Sequence, residues 1–256
     1  GVSGFTRAAA ALVGLWLALG LALAPSAGAE KYVVMGDSYS SGNGASVYDL
    51  DESCVRSSKS YGPLIKNDLG AGSSFRLVAC SGAVINHIIS STQGANPVQW
   101  TTLGGDTLDV TLSIGGNDAG FSDVLIQCGL PLVNCDGDID NAQTYITNTL
   151  PARLDLAYDK IRQGAPNARV GILGYPRLFP ADGDDCSAIT FFSAGEIARL
   201  NQTADLLADV TSERARAHGF ATSITRSLPA KKLVYYQNGD ELKRRKDITK
   251  DSVLRK

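Results

Sequence analysis

Three short motifs in this chain place groups able to do acyl chemistry at the ends of apolar runs. Gly36-Asp37-Ser38-Tyr39-Ser40-Ser41-Gly42 puts Ser38 on a tight turn, with its hydroxyl free to project and its own N–H facing an incoming oxyanion. Ser81-Gly82-Ala83 offers a backbone N–H at a residue with no side chain to keep a substrate away. Gly115-Gly116-Asn117-Asp118 offers the amide of Asn117 as a further donor. Each alone is an ordinary strand-to-helix turn, and Asn117 alone reads equally as a turn residue or cap. A hydroxyl, a backbone N–H and an amide at three successive ends form a constellation far more specific than its parts.

Those ends need strands behind them. Residues 31–35 (KYVVM), 75–79 (FRLVA), 108–114 (LDVTLSI) and 169–173 (RVGIL) are short runs rich in β-branched residues, each bounded by glycine or by the motifs above. The segments between them are long enough for helices. The clearest helices are 151–162, with Thr149 as its cap, and 193–217, where Ile197, Leu200, Ala204, Leu207 and Val210 recur at helical spacing. Strands alternating with helices predict parallel βαβ units in an open, doubly wound sheet. Ligands bind such sheets beyond the carboxyl ends of the strands, where all three motifs fall.

GDSYSSGNG, ACSGA and SIGGNDAGF resemble the first three blocks of the GDSL/SGNH hydrolases, and most of all the secreted actinobacterial esterases and lipases of that superfamily. The resemblance covers about residues 31–220, including the GYPRLF segment at 174–179. It implies a three-layer α/β/α sandwich with a flavodoxin-like parallel sheet. It also implies hydrolysis of carboxylic esters through an acyl-enzyme, without metal or organic cofactor. Ser38 is then the nucleophile, and the Ser38 N–H, the Gly82 N–H and the Asn117 side chain form the oxyanion hole.

The same resemblance implies a D-x-x-H block near the C-terminus whose histidine deprotonates the serine. The chain has two histidines, His87 and His218; the residues three before them are Val84 and Ala215, so neither fits, and each reads as a helix-surface or helix-end residue. Beyond Phe220 the composition changes. Residues 30–228 hold 10 Arg and 4 Lys, against 3 Arg and 6 Lys in 229–256. The expected explanation is a frameshift, chimeric assembly or truncation within about 220–229, with a divergent member using another base as the alternative. The last strand and the histidine block are thus the parts that this sequence puts in question.

Composition bounds the rest. At 256 residues, 44% hydrophobic and 20% charged, the chain is globular material for one domain. Its net charge of −2 divides into +1 over residues 1–29, −8 over 30–228 and +5 over 229–256, an acidic body with a basic tail. The run Lys243-Arg244-Arg245-Lys246 reads as a solvated end, and no nucleic-acid partner is expected. Arg7, the apolar run 8–24 and Ala27-Gly28-Ala29 read as a secretory leader over 1–29, cleaved near Ala29. The domains are accordingly leader 1–29, hydrolase 30–228 and divergent tail 229–256, and the product is a secreted monomer without a membrane anchor. Export favours cysteine pairing. Of five cysteines, Cys54–Cys80 and Cys128–Cys135 are the expected pairs, leaving Cys186 free or intermolecular. Asp136-Gly137-Asp138-Ile139-Asp140 lacks the residues of a calcium loop and is expected to be an acidic surface loop. The function expected is a serine ester hydrolase acting on acyl esters or lipids. The alternatives are a base-less ester- or glycan-binding remnant and an acyltransferase.

Overall fold

A computed structural model of the chain describes residues 31–130, 133–179 and 192–223. The leader, Cys186 and the basic tail lie outside them. Five strands form one parallel sheet: β1 (Lys31–Gly36), β2 (Arg76–Leu77), β3 (Thr107–Ser113), β4 (Arg169–Leu173) and β5 (Ala221–Ser223), in the order β2-β1-β3-β4-β5. The pairing is in register along β1 and β3, from Tyr32 beside Asp109 to Gly36 beside Ser113.

Both faces of the sheet are covered, which is why the strands read as continuous apolar runs. Alternate residues of β1 serve opposite cores. Val33 and Met35 join α3 (Ile85–Ile89), α6 (Leu150–Gly164) and the C-terminal part of α7 (Ala194–Ala217), through Ile88, Leu154, Tyr158 and Leu207. Tyr32 and Val34 join α2 (Tyr61–Ile65) on the other face. A third cluster packs α4 (Phe121–Cys128), α5 (Asp136–Asn148) and the start of α7 together. The expected α/β sandwich with a parallel sheet is the fold observed.

Four local expectations change. The second strand pairs over two residues rather than five, because Val78 N–H and Ala79 N–H both donate to Val34 O, at 2.8 and 3.1 Å, and break the ladder before Cys80 N–H returns to Gly36 O at 3.0 Å. Thr149 makes no capping bond: it is the single residue between α5 and α6 and holds helical dihedrals. Residues 136–140 are the opening of helix α5 rather than a loop. Acids there suit the positive end of the helix dipole, and Arg199 of α7 binds both Asp136 and Asp140. The strand in question after Phe220 is present as β5, paired to β4 from Gly171–Ala221 to Leu173–Ser223. Helix α7 is capped by Ser193, whose hydroxyl accepts from Glu196 N–H while the Glu196 carboxylate accepts from Ser193 N–H. Both expected disulfides form, Cys54–Cys80 and Cys128–Cys135.

Candidate active site

The strand order reverses direction between β1 and β3, and a crevice opens there beyond their carboxyl ends. Ser38 follows β1 as the first residue of a single helical turn, α1 (Ser38–Ser41), with Asp37 as its cap. Asn117 follows β3. Both line one cavity of about 410 Å³, together with Asp37, Tyr175, Phe121 and Leu178 among others.

Close approach of β1 and β3 requires glycine at the end of β1. Gly36 has φ +112°, and a Cβ there would lie 2.2 Å from Ser113 O. The chain therefore enters the Ser38 turn pressed against β3, with Asp37 N–H donating to Ser113 O at 3.0 Å. Gln99 fixes the same glycine through both backbone groups: Gly36 N–H donates to Gln99 Oε1 at 2.7 Å, and Gln99 Nε2 donates to Gly36 O at 2.9 Å.

Under Ser38 lies a buried polar network. Asp37 is 1% exposed and accepts three hydrogen bonds, from Tyr39 N–H at 3.1 Å, Ser113 Oγ at 2.7 Å and the Tyr175 hydroxyl. Ser40 Oγ connects Ser113 Oγ, at 2.8 Å, to the Tyr61 hydroxyl, at 3.1 Å. Tyr175 also accepts from Gly116 N–H at 3.2 Å, so one phenol ties the residue before Ser38 to the residue before Asn117. Burial pushes the Asp37 carboxyl up to about 6, and the hydrogen bonds from Tyr175, Ser113 and Tyr39 bring it only part of the way back.

Gly82 does not line the cavity, but its turn is held to the residues that do. Asn117 Nδ2 donates to Ala83 O at 2.8 Å, and both Asp118 carboxylate oxygens accept from Ile85 N–H at 3.0–3.1 Å. On the other side Asn43 Nδ2 reaches Ser81 Oγ at 3.4 Å, and Gln93 Nε2 donates to Ser81 O at 2.8 Å. Gly82 sits at φ +78°, a backbone conformation that favours glycine. The Asn117 amide is oriented by Ser122, whose hydroxyl donates to its oxygen at 3.2 Å, leaving a second Nδ2 hydrogen uncommitted to Ala83. Among the described residues neither Ser38 N–H nor Gly82 N–H is taken by another acceptor.

The histidines are engaged elsewhere. His87 Nδ1 accepts from Val84 N–H at 3.1 Å and caps α3. His218 ends α7 just before β5, at the amino edge of the sheet and so opposite to Ser38. Its ring lies 3.0 Å from Asp155 and 3.4 Å from Asp159, and edge-on to Tyr158. Sequence reasoning passed over Tyr175 and Gln99. Tyr175 carried a signal, since it follows β4 in the same way that the three motifs follow their strands; Gln99, in a short turn between helix and strand, carried none.

Comparison with known proteins agrees with this geometry. The family model of the GDSL-like Lipase/Acylhydrolase family matches residues 34–231. A lipase of Streptomyces rimosus is 42% identical over 200 residues, 77% of this chain and 70% of that protein. The crystal structure of an extracellular lipase from Streptomyces rimosus superposes with a TM-score of 0.67 at 40% identity, covering 77% of this chain and 81% of that one. The structure of phospholipase A1 from Streptomyces albidoflavus NA297 does so at 0.66 and 40%, covering 76% and 79%. With the serine turn, the glycine turn and the asparagine turn gathered at one switch point of a flavodoxin-ordered sheet, and with relatives of this identity, the chain belongs to the GDSL-like lipase/acylhydrolase family and is a carboxylic ester hydrolase.

Proposed function

We propose that residues 30–228 form a secreted serine esterase or lipase in which Ser38 Oγ attacks the ester carbonyl. The Ser38 N–H, the Gly82 N–H and the second Nδ2 hydrogen of Asn117 then hold the tetrahedral oxyanion. The alcohol departs from an acyl-serine, and water releases the acid. The observation that carries this reading is the shared cavity of Ser38 and Asn117 at the β1/β3 switch point. The substrates are acyl esters of lipid type: the cavity has an apolar side formed by Phe121, Leu125 and Leu178, and relatives are described as lipases and a phospholipase A1. Export is supported by the leader pattern, by two disulfides and by the extracellular relative. Among the described residues no helix is long and apolar enough to cross a membrane.

A serine hydroxyl is a poor nucleophile without a neighbouring base. His87 and His218 are both committed elsewhere, so in this chain Ser38 retains its proton and the oxyanion donors supply most of what acceleration remains, about 10³–10⁴ over water. The test is p-nitrophenyl butyrate hydrolysis at high enzyme concentration. Ser38→Ala is expected to change the trace rate little, whereas Asn117→Ala lowers it about a hundredfold. Turnover near 10 s⁻¹ that Ser38→Ala abolishes would mean that a base acts on Ser38 after all.

A further inference from the structure

Asn43 and Gly44 stand on the wall of the cavity shared by Ser38 and Asn117, just past the helical turn that begins with Ser38. Both are exposed. They form the one Asn-Gly pair among the described residues; a second, Asn238-Gly239, belongs to the tail. In such a pair the main-chain nitrogen of the glycine can attack the side-chain carbonyl of the asparagine, because a residue without Cβ does not crowd the ring that closes. Gly44 is open in this sense. It sits at φ +90°, with nothing within 4 Å of where a Cβ would stand.

Tyr48 brings both reacting groups to one atom. Gly44 N–H donates to the Tyr48 hydroxyl at 3.1 Å, and that hydroxyl donates to Asn43 Oδ1 at 3.5 Å. A phenol accepts one hydrogen bond while it gives another. The rest of Asn43 is held as well. Its N–H donates to Ser38 O at 3.0 Å, and its Nδ2 reaches Ser81 Oγ at 3.4 Å. The amide is thus stretched between the Ser38 turn, the Ser81–Gly82 turn and Tyr48.

We propose that Asn43 is a site of spontaneous deamidation in which Tyr48 relays the proton. The Gly44 N–H proton passes to the Tyr48 oxygen as the Tyr48 proton passes to Asn43 Oδ1, and the bond from Gly44 N to Asn43 Cγ forms. The tetrahedral carbon then restores its carbonyl and expels the side-chain nitrogen as ammonia, which takes the proton from Oδ1. Water opens the cyclic imide at either carbonyl, leaving aspartate or isoaspartate. Each product carries a carboxylate, ionised at neutral pH, where the cavity wall had a neutral amide. A negative group there opposes the charge that develops on an attacked carbonyl. That consequence rests on the nucleophile reading of Ser38; the conversion itself does not.

The test is peptide mapping of the full chain over time, with mass and isoaspartate-specific methylation read at residues 43 and 238. Conversion at 43 is expected to run faster in the folded chain than in the chain unfolded in urea. Tyr48→Phe is expected to slow it about a hundredfold, the lower end of what positioned proton transfer contributes, and to leave conversion at 238 unchanged. In the parent the rate at 43 stays nearly level between about pH 6 and 8, whereas in Tyr48→Phe it climbs about tenfold per unit, as direct proton removal by hydroxide requires. Mapping reads residue 43 without reference to ester hydrolysis, so a failure of the nucleophile assignment leaves these results in place. A Tyr48→Phe chain that converts at 43 as fast as the parent or faster overturns the proposal, because the phenol would then be idle or restraining. So does a parent that converts at 43 no faster folded than unfolded, a comparison that needs no variant.

Discussion

Two clusters of titratable side chains sit at opposite edges of the same sheet, and they look alike on paper. At the carboxyl edge Asp37, Tyr175 and Ser113 surround the approach to Ser38; on the side of β5, Asp155 and Tyr158 of α6 meet Arg214 and His218 at the end of α7. The second cluster contains an aspartate–histidine pair of the kind that activates serines, yet it only clasps two helices. The first lacks a histidine and borders the cavity shared by Ser38 and Asn117. In a parallel sheet it is the carboxyl edge at which ligands bind, so position counts beside residue type. The two also respond oppositely to protons. Burial holds the Asp37 carboxyl above its ordinary value. Burial also acts to raise Asp155, but hydrogen bonds from Arg214 and His218 outweigh it and leave that carboxyl below.

The largest effect expected is at the carboxyl edge. Replacing residues 221–256 with the corresponding block of a relative that carries D-x-x-H should raise p-nitrophenyl butyrate turnover by about three orders of magnitude, the cost of losing one member of such a unit. In that chimera Ser38→Ala should cancel the gain and His218→Ala should not. A chimera as slow as its parent, though folded, would break the contrast between the edges.

Asp37→Asn sharpens it. The folded Asp37 binds a proton more tightly than the unfolded chain does, so its contribution favours folding below pH about 4 and is lost as pH rises through about 6. The loss amounts to roughly 2–3 kcal/mol. An asparagine can keep the bonds from Tyr39 and Ser113 to its oxygen, and the difference in unfolding free energy between Asp37→Asn and the parent should swing by that amount between pH 4 and 7. Asp155, with its carboxyl held low, behaves inversely: its contribution is present above the ordinary aspartate range and fades as the medium becomes more acidic. A flat difference curve for Asp37→Asn would mean that Asp37 is ionised without penalty.

The smallest effect belongs to the amino edge. His218→Ala removes a partly exposed hydrogen bond to Asp155 and an edge-on contact with Tyr158, so urea unfolding should report a loss of about 1 kcal/mol. The ester hydrolysis rate of the unmodified chain should not change. A fall in rate would place His218 in the chemistry despite its edge.

Much of this was legible in the sequence, and the reason is local. Residues 31–38 announce a buried strand ending in a strained turn because hydrophobic run, glycine and serine are contiguous, and the same holds for 108–117. The helix at 194–217 was legible through its period, while its Ser193–Glu196 cap was not read. What escaped depends on partners far along the chain. The acids at 136–140 read as loop until Arg199, some sixty residues away, is brought against them. The second strand reads as five residues until Val78 and Ala79 share one acceptor, Val34 O, and break its ladder after two. Asp37 reads as a turn acid until Tyr175, 138 residues later, closes over it.

Gln99 has a consequence beyond holding Gly36. Where a neighbouring strand ends, the next backbone amide of the longer strand is left without a ladder partner. A glutamine side chain carries the same amide as a peptide unit. By presenting its oxygen to Gly36 N–H and its nitrogen to Gly36 O, Gln99 acts as a strand one residue long. The ladder on the β2 side of β1 is thereby continued past the Val34–Leu77 pair, up to the glycine that leads into the Ser38 turn.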